Sequence, residues 1–316
     1  MEVTGQQRRL LELCAIRIDG ESADWNVIAR QALDPSGLDD LYQGVIAEKS
    51  EAAKRSLPLL RKGLRTLNDA AARVATELEG ADKAGAQLVT VLDRHYPSNL
   101  RLIPNLPPFL FYLGDLQADD ARSIAVVGTR DATPDGIRRA GRMSRLLAEK
   151  GITVVSGLAK GIDAAAHRAA LTAGGRTIAV MGTGITRRYP AENADLAAEI
   201  TASGALVSQF WPTSPAGRYT FPRRNVVTSG ISQGTVVIEA SSTSGAKMQA
   251  RLALEHGKKV FLVQSLVATQ PWARDYVEHR GAIEVADVDE VASQVAEPDR
   301  IRRAAQQHQQ LTLSVL

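Results

Sequence analysis

The chain has 316 residues, with 38 Lys/Arg against 35 Asp/Glu, a formal net charge of +3, and 44% hydrophobic and 23% charged residues. That length admits one large domain or two ordinary ones, and the composition excludes a disordered chain; no apolar run approaches the roughly 18 residues that a bilayer helix needs, so no membrane partner is expected. The single cysteine, Cys14, excludes an internal disulfide, and the opening residues MEVTGQQRRLLELC hold no long apolar core ahead of a small-residue cleavage site, so a reducing cytoplasm is the expected location.

The charge is unevenly placed. Between Ala121 and Arg251 stand 17 Lys/Arg and 8 Asp/Glu, a local balance of +9 that leaves −6 for the remainder. A basic stretch that also holds glycine-rich loops is the electrostatic footprint of a polyanion binder, although a solvated basic face gives the same composition.

From Thr4 to about Gly80, apolar residues such as Leu10, Leu11, Cys14, Ile18, Leu57, Leu60, Leu64 and Leu67 recur at helical spacing. The turn signals Asp19-Gly20 and Asp34-Pro35-Ser36-Gly37 divide this stretch into several short helices, and it contains no chemical motif. The segment Gln87–Gly114 carries Pro97, Pro104, Pro107 and Pro108, which forbid a long helix. Leu110, Tyr112 and Leu113 suit either an edge strand or packing on a sheet, and Tyr96, Phe109, Phe111 and Tyr112 read as packing residues.

Strand, loop and helix then repeat. The run Ile124–Val127 ends in Gly128-Thr129-Arg130, a helix from about Asp135 to Lys150 follows, and the run Ile152–Val155 ends in Ser156-Gly157. The two strands are parallel, and ligands of such sheets bind beyond the carboxyl ends of the strands, where helix N-termini present backbone N–H groups. The first helix places Ile137, Gly141, Ser144 and Leu147/Ala148 on an inner side and Arg138, Arg142 and Arg145 on another.

The second loop, Ser156-Gly157-Leu158-Ala159-Lys160-Gly161-Ile162-Asp163, opens a helix over Ala164–Ala173; its small residues admit close backbone approach and Lys160 supplies charge, but the GK[ST] ending of a Walker loop is missing. Asp163 and His167 share a helix face, either as an intrahelical bond or cap, the commoner arrangement, or as a catalytic pair. A third strand, Thr177–Met181, exits into Gly182-Thr183-Gly184 with Arg187, Arg188, Tyr189 and Pro190, ahead of a helix from Ala191. A fourth, Ala205–Ser208, leads through a loop to Phe221-Pro222-Arg223-Arg224-Asn225, where adjacent arginines suit bidentate phosphate binding. A fifth, Thr235–Ile238, carries Glu239 and then Ser241-Ser242-Thr243-Ser244-Gly245-Ala246-Lys247, which opens another helix; Glu239 reads as a partner for an arginine or as a general acid or base. A sixth strand (Lys259–Val263), a helix near Trp272–His279, a short strand around Ala282–Val285 and a helix from about Asp287 complete an α/β, mostly parallel sheet, and the Gln/Arg-rich residues 297–316 read as a weakly ordered tail.

Together these residues resemble the DprA/Smf family of DNA-processing proteins. The resemblance rests on Gly128-Thr129-Arg130, Ser156–Asp163 with His167, Gly182-Thr183-Gly184 with Tyr189-Pro190, Phe221–Asn225, and Glu239-Ala240 with Ser244-Gly245, in one order over about Val89–Val263. Thr90, Asp93, Tyr96-Pro97, Leu100, Pro107-Pro108 and Gly114 match the segment that precedes them. The resemblance implies a Rossmann-like domain at 121–296 preceded by a helical region (1–86) and a connecting segment packed on the core (87–120). It also implies binding of single-stranded DNA in a basic pocket, a homodimer, a RecA-type recombinase as partner in DNA uptake and processing, and no cofactor. The expected phosphate-binding set is Gly128, Thr129, Arg130, Ser156, Gly157, Lys160, Gly161, Gly182, Gly184, Arg188, Arg223, Arg224, Asn225, Ser244, Gly245 and Lys247.

The chain departs from the family pattern at Val226, where a second arginine is usual, at Ala246–Ala250, and at Gln264-Ser265 in place of Pro-Gly; no winged-helix domain is expected after Val291. Two other functions fit the same loops. One is a nucleotide N-glycosidase with Glu239 as acid or base, although the PGGxGTxxE signature of related phosphoribohydrolases is missing. The other is a nucleotide or DNA sensor in defence whose helical region meets a partner. With no catalytic constellation, the chain reads as a binder rather than an enzyme.

Overall fold

The computed structural model describes residues 1–315, with side chains described through Gln307. The turn signals near the start divide the chain into α1 (Gly5–Ala15), α2 (Trp25–Ala32), α3 (Gly37–Tyr42), α4 (Glu51–Gly63) and α5 (Leu67–Lys83). Thr4 opens α1 with a reciprocal cap, its hydroxyl accepting from the Gln7 N–H at 3.2 Å while the Gln7 side chain accepts from the Thr4 N–H at 2.8 Å. Asp24 and Ser50 cap α2 and α4 in the simpler way. Between α1 and α2, Asp19 and Gly20 turn the chain at φ values of 53° and 86°.

The strands are β1 (Gln87–Thr90), β2 (Phe109–Gly114), β3 (Ser123–Val127), β4 (Thr153–Ser156), β5 (Thr177–Val180), β6 (Ala205–Ser208), β7 (Gly234–Val237), β8 (Lys259–Val263) and β9 (Ile283–Val285). They form one sheet in the order β1-β2-β6-β5-β4-β3-β7-β8-β9. The strands from β3 onward run parallel, while β2 pairs antiparallel with both β1 and β6. Residues 109–114 therefore do form a strand, but an inner one rather than the edge strand that their composition suits: β1, which the prolines obscure, takes the edge. Those prolines all fall between the two strands, where no ladder N–H is needed.

The helices between strands are α6 (Pro134–Glu149), α7 (Ile162–Thr172), α8 (Ala194–Ser203), α9 (Thr220–Ile231), α10 (Gly245–Glu255), α11 (Gln264–Thr269), α12 (Pro271–His279) and α13 (Val288–Ala292). The face of α6 is turned by about a residue from the one expected: Gly136, Ala140, Met143, Ser144 and Leu147 are buried, whereas Ile137 is 37% exposed. Gly136 must face inward because a Cβ there would strike the carboxylate of Glu239. Residues 298–315 form a helix, α14 (Pro298–Val315), where composition suggests a weakly ordered tail; Gln, Arg and Ala are good helix formers, and Ala305 is buried. Among the described residues no helix is long and apolar enough to cross a membrane.

The strand order fixes where a ligand can sit. From β3 at the centre the chain steps outward through β4, β5 and β6, then returns to β7 on the other side of β3 and continues through β8 to β9. The loops after β3 and β7 therefore diverge to opposite sides and leave a crevice at their carboxyl ends. At the opposite edge Arg176 closes the sheet on the buried Asp120, with Nε–Oδ1 and Nη2–Oδ2 both at 2.9 Å.

The helical region and the sheet share one hydrophobic core. Phe109 of β2 lies 5.0 Å from Trp25 and 4.9 Å from Trp211 between ring centroids, and 5.6 Å from Phe111. Polar ties surround this cluster: the Gln7 amide donates to Asp93 at 2.8 Å, Arg30 donates to the Pro104 carbonyl at 2.7 Å, and Glu77 accepts from the Thr213 N–H and hydroxyl at 3.0 and 2.7 Å. Cys14 is fully enclosed, and burial pushes its thiol well above the ordinary range. Phe109→Ala is expected to leave a cavity at this junction and to cost about 3–5 kcal/mol in urea unfolding, with helical and sheet signals lost in one transition; a loss below about 1 kcal/mol counts against a shared core.

Candidate nucleic-acid interface

The crevice holds a cleft of about 330 Å³ lined by the loop after β3 (Gly128, Thr129, Arg130), the start of α9 (Phe221, Arg224, Asn225) and the start of α10 (Ser244, Gly245, Gln249). The backbone sews these loops together: the Thr129 N–H donates to the Glu239 carbonyl at 2.7 Å, and the Ile162 N–H donates to the Thr129 carbonyl at 3.3 Å. Gly161, at φ +73°, lets α7 begin against the carbonyls of Thr129 and Arg130, where a Cβ has no room. Ser244 caps α10, its hydroxyl accepting from the Ala246 N–H at 3.1 Å, so the first turn of that helix opens on the cleft.

Arg224 is the floor. Its side chain is buried and lies over Gly157, in the space that a Cβ at that position would fill. One guanidinium nitrogen stands 3.8 Å from Asp163 and donates to the Val180 carbonyl at 3.4 Å, and Nε has no partner among the described residues. Asp163 is held from the other side by the N–H groups of Gly157 at 3.1 Å and Ala159 at 3.4 Å. Burial raises the Asp163 carboxyl above its ordinary range against the opposing pull of Arg224, and burial lowers the Arg224 guanidinium. Arg130 is exposed at the rim, its guanidinium 5.1 Å from the centre of the Phe221 ring. Asp131 and Asp163 also line the cleft, so its two arginines face two carboxylates and its charge is more balanced than the surrounding sequence suggests.

Of the sixteen expected phosphate ligands, seven line the cleft, Gly128, Thr129, Arg130, Arg224, Asn225, Ser244 and Gly245, and Gly157 and Gly161 support it. Others do not reach it. Ser156 is fully buried and donates to the Val126 carbonyl at 2.7 Å. Lys160 pairs with Glu192 at 2.7 Å on the outer side of α7. Gly182 packs under the Phe221 ring and Gly184 under the backbone carbonyls of Trp211 and Pro212, so this GxG is a packing device. Arg188 donates to the Ile185 carbonyl at 3.0 Å outside the cleft. Lys247 stands 5.8 Å over the Trp272 ring, and Arg223 points away from Arg224 to a position 5.6 Å over Trp25. Successive helical residues diverge by about 100°, so one helix start rarely aims two neighbours at one ligand.

Two acid–base candidates also resolve. Glu239 holds neither arginine; its carboxylate accepts from the Thr133 hydroxyl at 2.8 Å and N–H at 3.3 Å, anchoring the start of α6. Asp163 and His167 do not bond each other: His167 is fully buried, with Nδ1 2.7 Å from the Thr177 hydroxyl. Phe221, Thr228, Met248 and Gln249 line the cleft outside the expected set. Phe221 was legible from its place in the Phe-Pro-Arg-Arg-Asn string, whereas nothing in the sequence singles out the other three. Val226, in place of the usual second arginine, is half-buried against the core.

A family model described as DNA recombination-mediator protein A matches residues 87–296. The chain belongs to that family. Its Smf/DprA relatives include protein Smf of Escherichia coli, 36% identical over 235 residues that make up 73% of this chain and 63% of that protein. Protein Smf of Synechocystis is 40% identical over 188 residues, 58% of this chain and 47% of the relative. The chain thus spans roughly half to two thirds of these curated relatives. Among solved structures, DprA of Streptococcus pneumoniae superposes with a TM-score of 0.74 at 27% identity, covering 94% of this chain and 99% of that one. DNA processing protein A of Helicobacter pylori shares the fold, with a TM-score of 0.58 at 24% identity over 66% of this chain and 94% of that one. The family match to 87–296 takes in β1 and β2 and does not extend to α1–α5.

The buried histidine gives a pH prediction. Burial first, then the charges of Arg224 and Arg168, lowers His167 from 6.5 to about 3. The folded chain therefore keeps this ring neutral while the unfolded chain protonates it, so its contribution is fully present above pH 6.5 and is lost as pH falls towards 3. The slope is up to about 1.4 kcal/mol per pH unit. Urea midpoints between pH 7 and 4 are expected to fall less steeply in His167→Asn than in the parent; parallel curves would mean that His167 is not held neutral. Asp163, shifted the other way, is common to both proteins and cancels in the comparison.

Proposed function

We propose that the chain binds single-stranded DNA by its phosphate backbone, with one phosphate seated between Arg130 and Arg224 at the crevice between β3 and β7. The observation that carries this reading is Arg224 at the cleft floor, held by its neighbours only at long range, beside exposed Arg130 and the opening turn of α10. A phosphate there adds charge-assisted hydrogen bonds to a guanidinium whose contacts with Asp163 and the Val180 carbonyl are both long. A DprA from Helicobacter pylori is described as having a unique single-stranded DNA binding mode, which supports the same ligand class here. Phe221 offers one aromatic face at the cleft, so base stacking contributes little and sequence preference is slight.

Recombination mediation is the role we infer from the family description; a RecA-type recombinase as partner, a homodimer as assembly and the cytoplasm as location are proposed with it, on the sequence resemblance and composition. Binding without catalysis fits the cleft better than nucleotide hydrolysis, because Glu239 is committed to Thr133.

Arg130→Ala is the cleaner test, since Arg130 is exposed and its loss leaves no buried partner. It is expected to weaken single-strand binding about tenfold and to make the salt dependence shallower by about 0.7 in log–log slope. Arg224→Ala should weaken binding further, but it strands Asp163, so its unfolding curve is read alongside. Unchanged affinity and slope in Arg130→Ala, or tighter binding of mononucleotides than of oligonucleotides with base release, would remove the strand from this cleft.

A further inference from the structure

The two arginines at the start of α9 serve different spaces. Arg224 enters the cleft, whereas Arg223 turns towards the helical region and lines a hollow of about 540 Å³ together with Arg17, Arg55 and Trp211. A second hollow of about 420 Å³ lies across Arg17 and Trp211 and adds Arg73. Four guanidinium groups thus converge from separate elements: the turn after α1, α4, α5 and α9.

In this convergence the arginines outnumber the lining carboxylates, Asp24 and Glu77. Among the described residues, Arg17, Arg55, Arg73 and Arg223 form no ion pair. Arg17 donates only to the carbonyls of Cys14 at 3.1 Å and Ile16 at 2.8 Å. Burial, and then the positive charge of Arg73, press its guanidinium below the ordinary range; Cys14 pulls it the other way, and Arg223 adds the smallest push down. The two carboxylates of the hollows bond neutral donors instead of the arginines and leave an excess of positive charge: Asp24 accepts from the Asn26 N–H at 2.8 Å, and Glu77 accepts from Thr213. Like charges collected in a concave site repel one another, and the arrangement becomes favourable when an anion enters. The indole of Trp211 lines both hollows and gives the anion's neighbouring groups a flat wall.

We propose that this junction is a second anion seat, which holds the phosphodiester backbone of the same DNA strand after it leaves the cleft across the first turn of α9. The proposal rests on the strand-binding reading above and extends it to the helical region. The two seats are one residue apart in sequence, Arg223 beside Arg224. Tyr219, 70% exposed with Arg218 lying 4.8 Å over its ring, immediately precedes that turn. Two adjoining hollows sharing Arg17 and Trp211 form an elongated seat, which suits a run of phosphates better than a single ion.

The test uses the full chain and the double variant Arg55→Gln/Arg73→Gln, both sites being exposed so that the core is untouched. Binding is measured across salt for oligonucleotides of about six and about 24 nucleotides, one short enough for the cleft alone and one long enough to reach beyond it. The variant is expected to match the parent on the short strand, to lose roughly tenfold on the long one, and to show a slope shallower by about 1.4 on the long one only. In a second arm, inorganic tripolyphosphate is titrated against the intrinsic fluorescence of the three tryptophans in the parent and in the variant, the junction's share being the part of the response that the variant loses. Equal affinity and slope at both lengths overturns the second seat and leaves the cleft standing, as does an equal loss at both lengths. A tripolyphosphate response in the parent with no length-dependent loss overturns the strand continuation and makes the junction a seat for free polyphosphate. A parent chain that binds neither oligonucleotide overturns the cleft reading and the continuation together.

Discussion

A guanidinium resting on bare backbone is the constraint around which the binding edge is built. Arg224 occupies the volume beside Gly157 where any other residue would place its side chain, and Asp163, pinned by two backbone N–H groups of the same loop, keeps it there. The distance between the charges, 3.8 Å, is long for a salt bridge, so the pair holds position without exhausting the arginine. The opposite edge of the sheet shows what a closed pair looks like: Arg176 and Asp120 meet in two short parallel bonds and have little left to offer a ligand. The same two residue types are structural at one end of the strands and receptive at the other.

Much of this architecture is legible in the sequence, and the legible part has a common origin. Each central strand is a short apolar run ended by small residues, and parallel strands with helical crossovers leave their loop ends on one edge, so the crevice follows from pattern alone. The helices of the first 83 residues are equally plain, because turn residues and caps punctuate them. The antiparallel pair β1 and β2 is harder to read, since four prolines crowd the 18 residues between them and mask two good strands. The last helix is hidden for a different reason: a Gln/Arg-rich composition describes solubility more than it describes backbone conformation.

At the binding edge, the sequence supplies charge but not direction. Lys160, Arg188, Arg223 and Lys247 all sit in loops or helix starts at the correct edge, yet each is turned by helical phase or captured by a neighbour: Glu192, the Ile185 carbonyl, the Trp25 ring and the Trp272 ring. Glycines are read more reliably than cations, because a glycine reports a steric requirement that its surroundings impose. Gly128 and Gly161 are places where neighbouring segments touch, and Gly157 makes room for the Arg224 side chain. Gly182 and Gly184 report contacts too, but against Phe221 and the 211–212 turn rather than a ligand.

The shared core gives the helical region a standing that motif analysis does not. Trp25 covers Phe109 and meets Trp211 edge-on at 5.9 Å, so the rim of the sheet is finished by a residue that precedes the family-matched segment by more than sixty positions. A chain begun at residue 87 would keep every strand and loop of the crevice but present an oily scar of aromatic rings to water. In this protein the first five helices act as the wall of the Rossmann-like unit, and amputating them would convert a folded surface into a site of self-association.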